Sequence, residues 1–228
     1  MDRGLYIAAS GMLAEQVRQD QIANDLANAS TAGYKADRTA QATFGQLLLT
    51  NSVTGAAVGT QSTAVQVTSV VTDFSPQPLK DTGEALDFAI NGEGFFAVQT
   101  AAGTRYTRNG QFSADADGRL VTLTGEPVLG RNGRPVTVGD DGKVDPRALN
   151  VVMLRDPRKQ GDNLIAGTVS GQSTAQVRAG ALEGSGADPT QAMVDMIAST
   201  RAFEAGQKVI HTIDETLGKA ATSVGALN

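Results

Sequence analysis

Apolar residues at the two ends of this 228-residue chain recur with the period of a helix, and those of the long middle stretch do not. Near the C-terminus Met196, Phe203, Ile210, Leu217 and Val224 fall seven apart. Three positions after the first four stand Ser199, Gly206, Ile213 and Ala220, most of them small. A seven-residue apolar repeat forms a seam for another helix, and small residues beside it let two backbones come close. Leu5, Met12, Gln19 and Leu26 keep the same spacing near the N-terminus. Such stripes at opposite ends predict helices that pair with each other, with sister copies, or both. The feature points to assembly rather than catalysis.

The first helix is predicted over Arg3 to Asn28, with Gln16 and Gln19 making its stripe partly polar; polar seam residues can fix register or partner number. Gly33 can take the left-handed conformation that ends a helix. Residues 34–49 fit either helix or strand, and 51–62 read as a polar linker without period. From Ala64 onward alternation near two predicts strands, as in Ala64 to Val71, Leu86 to Ile90 and Gly94 to Val98. Asn91-Gly92, Asn109-Gly110, Asp117-Gly118, Asn132-Gly133 and Asp141-Gly142 predict primed hairpin turns, which need positive φ at both central residues. Asp188, Pro189 and Gln191 then mark the start of a second helix as cap, first position and capping-box partner. Gly206 inside that helix costs about 1 kcal/mol relative to Ala, so its place on the seam side predicts a close-approaching backbone. The expected fold class is α+β. Residues 64–182 form a central antiparallel β-domain, and residues 1–63 and 183–228 supply long terminal helices pairing in a coiled-coil-like stalk.

Composition narrows the chemistry. An apolar content of 40% suffices for a core, but at 4% aromatics with no Trp that core is expected to rest on Val, Ile, Leu and Ala. A net charge of −5 and no Lys/Arg run argue against a nucleic-acid binder. The absence of Cys excludes disulfides, thiolate metal sites and thiol nucleophiles. No apolar run approaches the ~18 residues of a membrane span. The start, Arg3 then Leu5 to Ser10, is too short and too soon broken by Gly11 for a cleaved signal peptide. His211 is the only histidine, so no histidine cluster can form, and one histidine does not by itself define a triad. Asp115 to Gly118 lacks the third acidic position and the distant Glu of a calcium loop, and reads as a turn. Gly92-Glu93-Gly94 has no dinucleotide spacing, and Asp140-Asp141 sits in a Gly-flanked turn. No catalytic residue, metal or cofactor is expected.

Ile22-Ala23-Asn24-Asp25-Leu26-Ala27-Asn28-Ala29-Ser30-Thr31-Ala32-Gly33-Tyr34-Lys35 resembles the N-terminal signature of bacterial flagellar rod and hook proteins, which usually carry two adjacent Asn where this chain has Asn24-Asp25. Leu86 to Val98 and Tyr106 to Phe112 resemble that family's central β-motif. Leu182 to Ser185, Met193 to Ile197 and Arg201 to Glu204 resemble its C-terminal signature. Three motifs in order span nearly the whole chain. The resemblance implies a structural rod subunit of the flagellar basal body, self-assembling into a hollow helical shaft that transmits torque, with the terminal helices inside. It implies export through the type III apparatus, a location in the cell envelope outside the cytoplasmic membrane, and no direct membrane insertion. Implied partners are sister copies, neighbouring rod and hook proteins, and basal-body ring proteins. Leu5, Met12, Leu26, Met196, Phe203, Ile210 and Leu217 are then the assembly seam. Asn24 and Asn28, four apart, either cap the helix end or, as the resemblance implies, bond between subunits. A hook or hook-junction subunit is the nearest rival, made less fitting by the lack of an extra outer domain. A secreted β-rich adhesin or enzyme is the rival from another class.

Overall fold

The computed structural model describes residues 2–50, 57–161 and 163–225, with side chains over 4–39, 70–161 and 163–222. Its elements are helix α1 (Asp2–Ala27), strands β1 (Asp37–Thr50), β2 (Ala57–Thr72), β3 (Leu79–Asp81), β4 (Phe88–Asn91), β5 (Phe95–Thr100), β6 (Gly103–Thr107), β7 (Phe112–Ala114), β8 (Leu120–Thr122), β9 (Val151–Gly161), β10 (Leu164–Gln172), β11 (Gln176–Ala179) and β12 (Ala181–Glu183), and helix α2 (Pro189–Gly225). The class is α+β, a β-rich middle with a helix at each end. Two compact units emerge: residues 1–26, 37–71 and 189–228, and residues 27–36 with 72–188.

In the first unit β1 and β2 form a two-stranded sheet. The ambiguous segment 34–49 is therefore largely strand. The linker expected over 51–62 is corrected from Ala57 onward, where Val, Thr and Ser favour extended backbone despite the polar composition. Residues 51–56 of that linker lie outside the described residues.

The second unit is built on β5. Successive side chains on a strand point to opposite faces, and here both faces are covered. Phe96 and Val98 enter one cluster with Phe88, Phe112, Leu120 and Leu149, while Phe95 and Ala97 enter another with Tyr106, Val152 and Ile165. Antiparallel pairing closes β10, β6, β5 and β9 into a small barrel. β4 and β5 flank Asn91-Gly92 without forming a hairpin, because β4 pairs with β11 and β5 with β6 and β9. Most of the buried side chains are Val, Ile, Leu and Ala, as expected, and the scarce aromatics are concentrated among them. Phe96 meets Phe112 edge-on with ring centroids 5.4 Å apart, and Phe88 lies 6.2 Å from the same ring.

The hairpin turns also differ from expectation. Gly118, Gly125, Gly133 and Gly142 each have φ between 70° and 93°, while Asp117, Asn132 and Asp141 do not have positive φ. Each of these glycines donates its N–H to the carbonyl three residues before, and the strands close across five-residue loops such as Asp115 N to Arg119 O. That is a three-residue loop ending in a left-handed glycine, the common alternative to a primed turn. Asp115, Asn132 and Asp141 stabilise it by accepting backbone N–H groups two residues on. Asn109-Gly110 is no hairpin tip at all. A Cβ on Gly110 would stand 1.6 Å from the Phe88 carbonyl oxygen, because the two backbones touch where Phe88 N donates to Gly110 O.

Two glycines that look alike in the sequence should therefore behave differently. Gly118→Ala meets open space and should cost only the left-handed penalty of about 1–2 kcal/mol. Gly110→Ala must displace backbone and should cost above about 4 kcal/mol. Urea unfolding of the two variants measures both, and equal losses would contradict this packing.

Candidate assembly surfaces

Within the helical unit α1 and α2 lie antiparallel, and the contacts fix a register. Gly4 faces Ile213, Met12 faces Gly206, Ser199 donates its hydroxyl to the Glu15 carboxylate at 2.6 Å, and Arg18 lies 4.0 Å from Asp195. A Cβ on Gly206 would sit 2.8 Å from Met12 Cγ, so the glycine is what lets the helices close up there. The row three places beyond the seven-residue repeat is thus the pairing face. Ser199 is fully buried and Ala192 nearly so, opposite Ala14 and Ile22.

The residues expected to form the seam spread around that face. Met12, Met196, Phe203, Ile210 and Leu217 are half-buried along its edge, and Leu217 lies past the Gly4–Ile213 crossing. Leu5 and Leu26 are exposed, at 40% and 37%. Asn24 is exposed on α1. Asn28 lies just beyond the helix and serves the chain locally: its carbonyl accepts the Ser185 hydroxyl at 2.8 Å and its side-chain oxygen accepts that of Thr31 at 3.2 Å.

A second stripe lies outside the expected seam. Tyr6, Leu13 and Val17 share one side of α1 with Asn24, 18 residues or about five turns along. Tyr6 and Leu13 are each 63% exposed. On α2, Met193, Val194 and Ile197 are likewise more than half exposed. The signal is present in the sequence as spacings of seven and four from Tyr6, but the longer C-terminal repeat matches Leu5 and Met12 and so points away from it.

The second unit holds a buried ionic cluster. Glu183 at the end of β12 takes Lys35 Nζ at 2.6 Å and Arg108 NH1 at 3.0 Å, with all three side chains 2% exposed or less. Buried ions need further hydrogen bonds to offset desolvation. Lys35 also donates to the Ser75 carbonyl, Arg108 to those of Ile90 and Gly92, and Glu183 accepts from Gln77 N. Burial lowers the pKa of Lys35 despite the Glu183 bond, and burial lowers that of Arg108 against the pull of Glu183 and Glu93. Gly33, at φ 66°, presses on the Arg108 backbone and donates to the Glu183 carbonyl. Lys159 donates to the Lys35 carbonyl and lies 4.0 Å over the Tyr34 ring. The segment following α1 and the segment preceding α2 are so clamped side by side. No group of His, Asp or Glu among the described residues could hold a metal, and no described helix is long and apolar enough to cross a membrane.

Three family models match the chain in order. Flagella basal body rod protein covers residues 5–35, the flagellar hook protein FlgE/F/G D1 domain covers 89–146, and flagellar basal body rod FlgEFG protein C-terminal covers 178–223. Each matched stretch contributes one member of the ionic cluster: Lys35, Arg108 and Glu183. Among similar proteins, flagellar basal-body rod protein FlgF of Caulobacter vibrioides is 34% identical over the whole of both chains. Flagellar hook-basal body complex protein FlhO of Bacillus subtilis is 30% identical, also over the whole of both. Flagellar basal-body rod protein FlgG of Bacillus subtilis is 34% identical over 95% of this chain and 97% of its own.

Removing Glu183 strands two buried cations, whereas removing Lys35 leaves a balanced pair. Glu183→Ala should cost about 3–5 kcal/mol and Lys35→Met distinctly less. The pH dependence follows from the sign of the shift. With Lys35 lowered in the folded chain from its ordinary 10.5, the unfolded chain binds the extra proton between those values. This group's contribution to stability therefore rises with pH across that window, and Lys35→Met should remove the rise in urea titrations at stepped alkaline pH.

Proposed function

This chain belongs to the flagellar basal-body rod protein family and is a structural rod subunit, and we propose that its terminal helices, paired as a coiled-coil-like stalk, pack against those of sister copies to build a hollow, torque-transmitting shaft. The observation that carries this reading is the bare apolar outer face of both helices: Tyr6, Leu13 and Val17 on α1, and Met193, Val194 and Ile197 on α2. A helix apolar on two sides is one that a second neighbour covers. The antiparallel pairing inside one copy buries a narrow face of mostly small residues and half-covers the larger ones along its edge.

In this reading residues 1–63 and 183–228 form the assembly core, and residues 64–182 the β-domain. Leu5, Met12, Leu26, Met196, Phe203, Ile210 and Leu217 flank the internal seam, where a neighbouring helix can share them, and Asn24 lies within reach of the same neighbour. The family is a non-enzymatic one, and the chain is a component of the flagellar basal body. Adjoining rod and hook proteins are its further partners, reached after export through the type III apparatus without a cleaved signal. A hook position is less well supported, since the FlgF and FlgG rod proteins match over nearly their full length.

Leu13→Asp and Ile197→Asp place charge on the outer faces without touching the internal seam. Each should leave the purified monomer with unchanged helix content by circular dichroism while abolishing shafts and swimming, and Leu13→Met should restore both. Normal swimming by either Asp variant would show that these faces meet no neighbour.

A further inference from the structure

One turn in the β-domain breaks the pattern of its siblings. The second positions of the loops beginning at Asp115, Gly130 and Gly139 are Ala116, Arg131 and Asp140, small or polar as a solvated turn favours. The same position of the Thr122 loop is Leu123, 65% exposed and the most exposed large apolar side chain of this unit. The loop under it is tightly tied, with Glu126 accepting the hydroxyls of Thr122 and Thr124 while Thr122 N donates to the Glu126 carbonyl. Leucine is thus presented on a stiff tip.

The same unit carries a matching hollow. A cleft of about 320 Å³ is lined by Phe74, Pro76, Phe95, Met153, Leu154 and Pro157. Arg108 forms part of its wall; its side chain is 1% exposed and its Nε has no hydrogen-bond acceptor among the described residues. Glu93 also lines the cleft, which disfavours an entering carboxylate and suits an uncharged, apolar side chain.

Tip and cleft lie at opposite ends of β5. Phe95 begins the strand at the cleft, whereas Gln99 N donates to Pro127 O and Leu129 N to Ala97 O, which sends the 122–126 loop out past Thr100. One copy cannot fill its own cleft, but the next copy can. A contact between unlike surfaces at opposite ends does not close on itself and generates a filament.

Resting on the rod-subunit reading, we propose that Leu123 of one copy seats in the Phe74–Phe95–Leu154 cleft of the next, burying apolar surface on both. The chain has no cysteine, so introduced thiols report only themselves. Cells should carry the full chain with Leu123→Cys and Met153→Cys in place of their own copy, and isolated basal bodies should be oxidised. A ladder of disulfide-linked dimers and longer species is expected. Leu123→Cys alone and Met153→Cys alone should give no ladder. Leu123→Asp should abolish swimming while the purified monomer keeps its circular dichroism, and Leu123→Met should preserve swimming. Swimming cells whose basal bodies hold the double variant as free thiols, or swimming Leu123→Asp cells, would overturn the contact and leave the rod reading intact. Cells that build shafts with the whole chain deleted would overturn both.

Discussion

The carboxylate of Glu183, held between Lys35 and Arg108, is the constraint on which the β-domain depends. Its partners come from positions 148 and 75 residues earlier in the chain, so one buried anion closes two very long loops. Loop-closure entropy grows only slowly with length, so distance is no great obstacle. Desolvation opposes the cluster more strongly, and it is offset only when every charge finds its partners together. A chain that paired β12 with the wrong strand would leave Lys35 and Arg108 buried without their anion. The cluster therefore selects one arrangement as much as it stabilises it. Gly33 completes the logic: only a residue without a side chain can lie on the Arg108 backbone at φ 66°.

The helical unit is built on the opposite principle. Its internal seam is narrow, resting on Ala14, Ile22, Ala192 and Ser199 with Gly206 against Met12, and such small groups bury little apolar area. Close approach takes the place of volume. The larger apolar side chains, Tyr6, Leu13, Val17 and Ile197, are left outside. Long helices gain most of their stability from burying an apolar face, so a pair that hides its small residues and displays its large ones is incomplete as a monomer. The β-domain, by contrast, encloses most of its aromatics around β5 within one copy.

The helices are legible in the sequence because a period of seven survives in a single line of text. The three motifs are legible as likenesses, but what they do together is not: attraction between Lys35, Arg108 and Glu183 leaves no local trace, since each is an ordinary charged residue among its neighbours. The turns differ from expectation for a definable reason. An Asp-Gly or Asn-Gly pair suits both a primed turn and a loop with one left-handed glycine, and the choice is made by strand register, which hydrogen bonds set. The Ala57–Thr72 strand is hidden at its start by Gly, Thr and Ser, whose polarity masks an extended backbone. Composition foretells a mostly aliphatic core, but it counts residues and does not say where Phe88, Phe95, Phe96 and Phe112 gather.

In the proposed assembly, where copies arrive singly and then join a shaft, adhesive groups have to be kept from acting early. The chain meets that demand by separating them. The ions of the Glu183 cluster are paired and buried, where they fix shape, and a net charge of −5 keeps copies apart in solution. The apolar groups left outside are spread over separate surfaces, so two copies in passing gain little from any one of them. In a shaft each copy meets several neighbours at once, and contacts made together add without the entropic cost of a new encounter each time. A tip at one end of β5 and a cleft at the other give such contacts a direction. Weak, directed and repeated, they favour the filament over the pair.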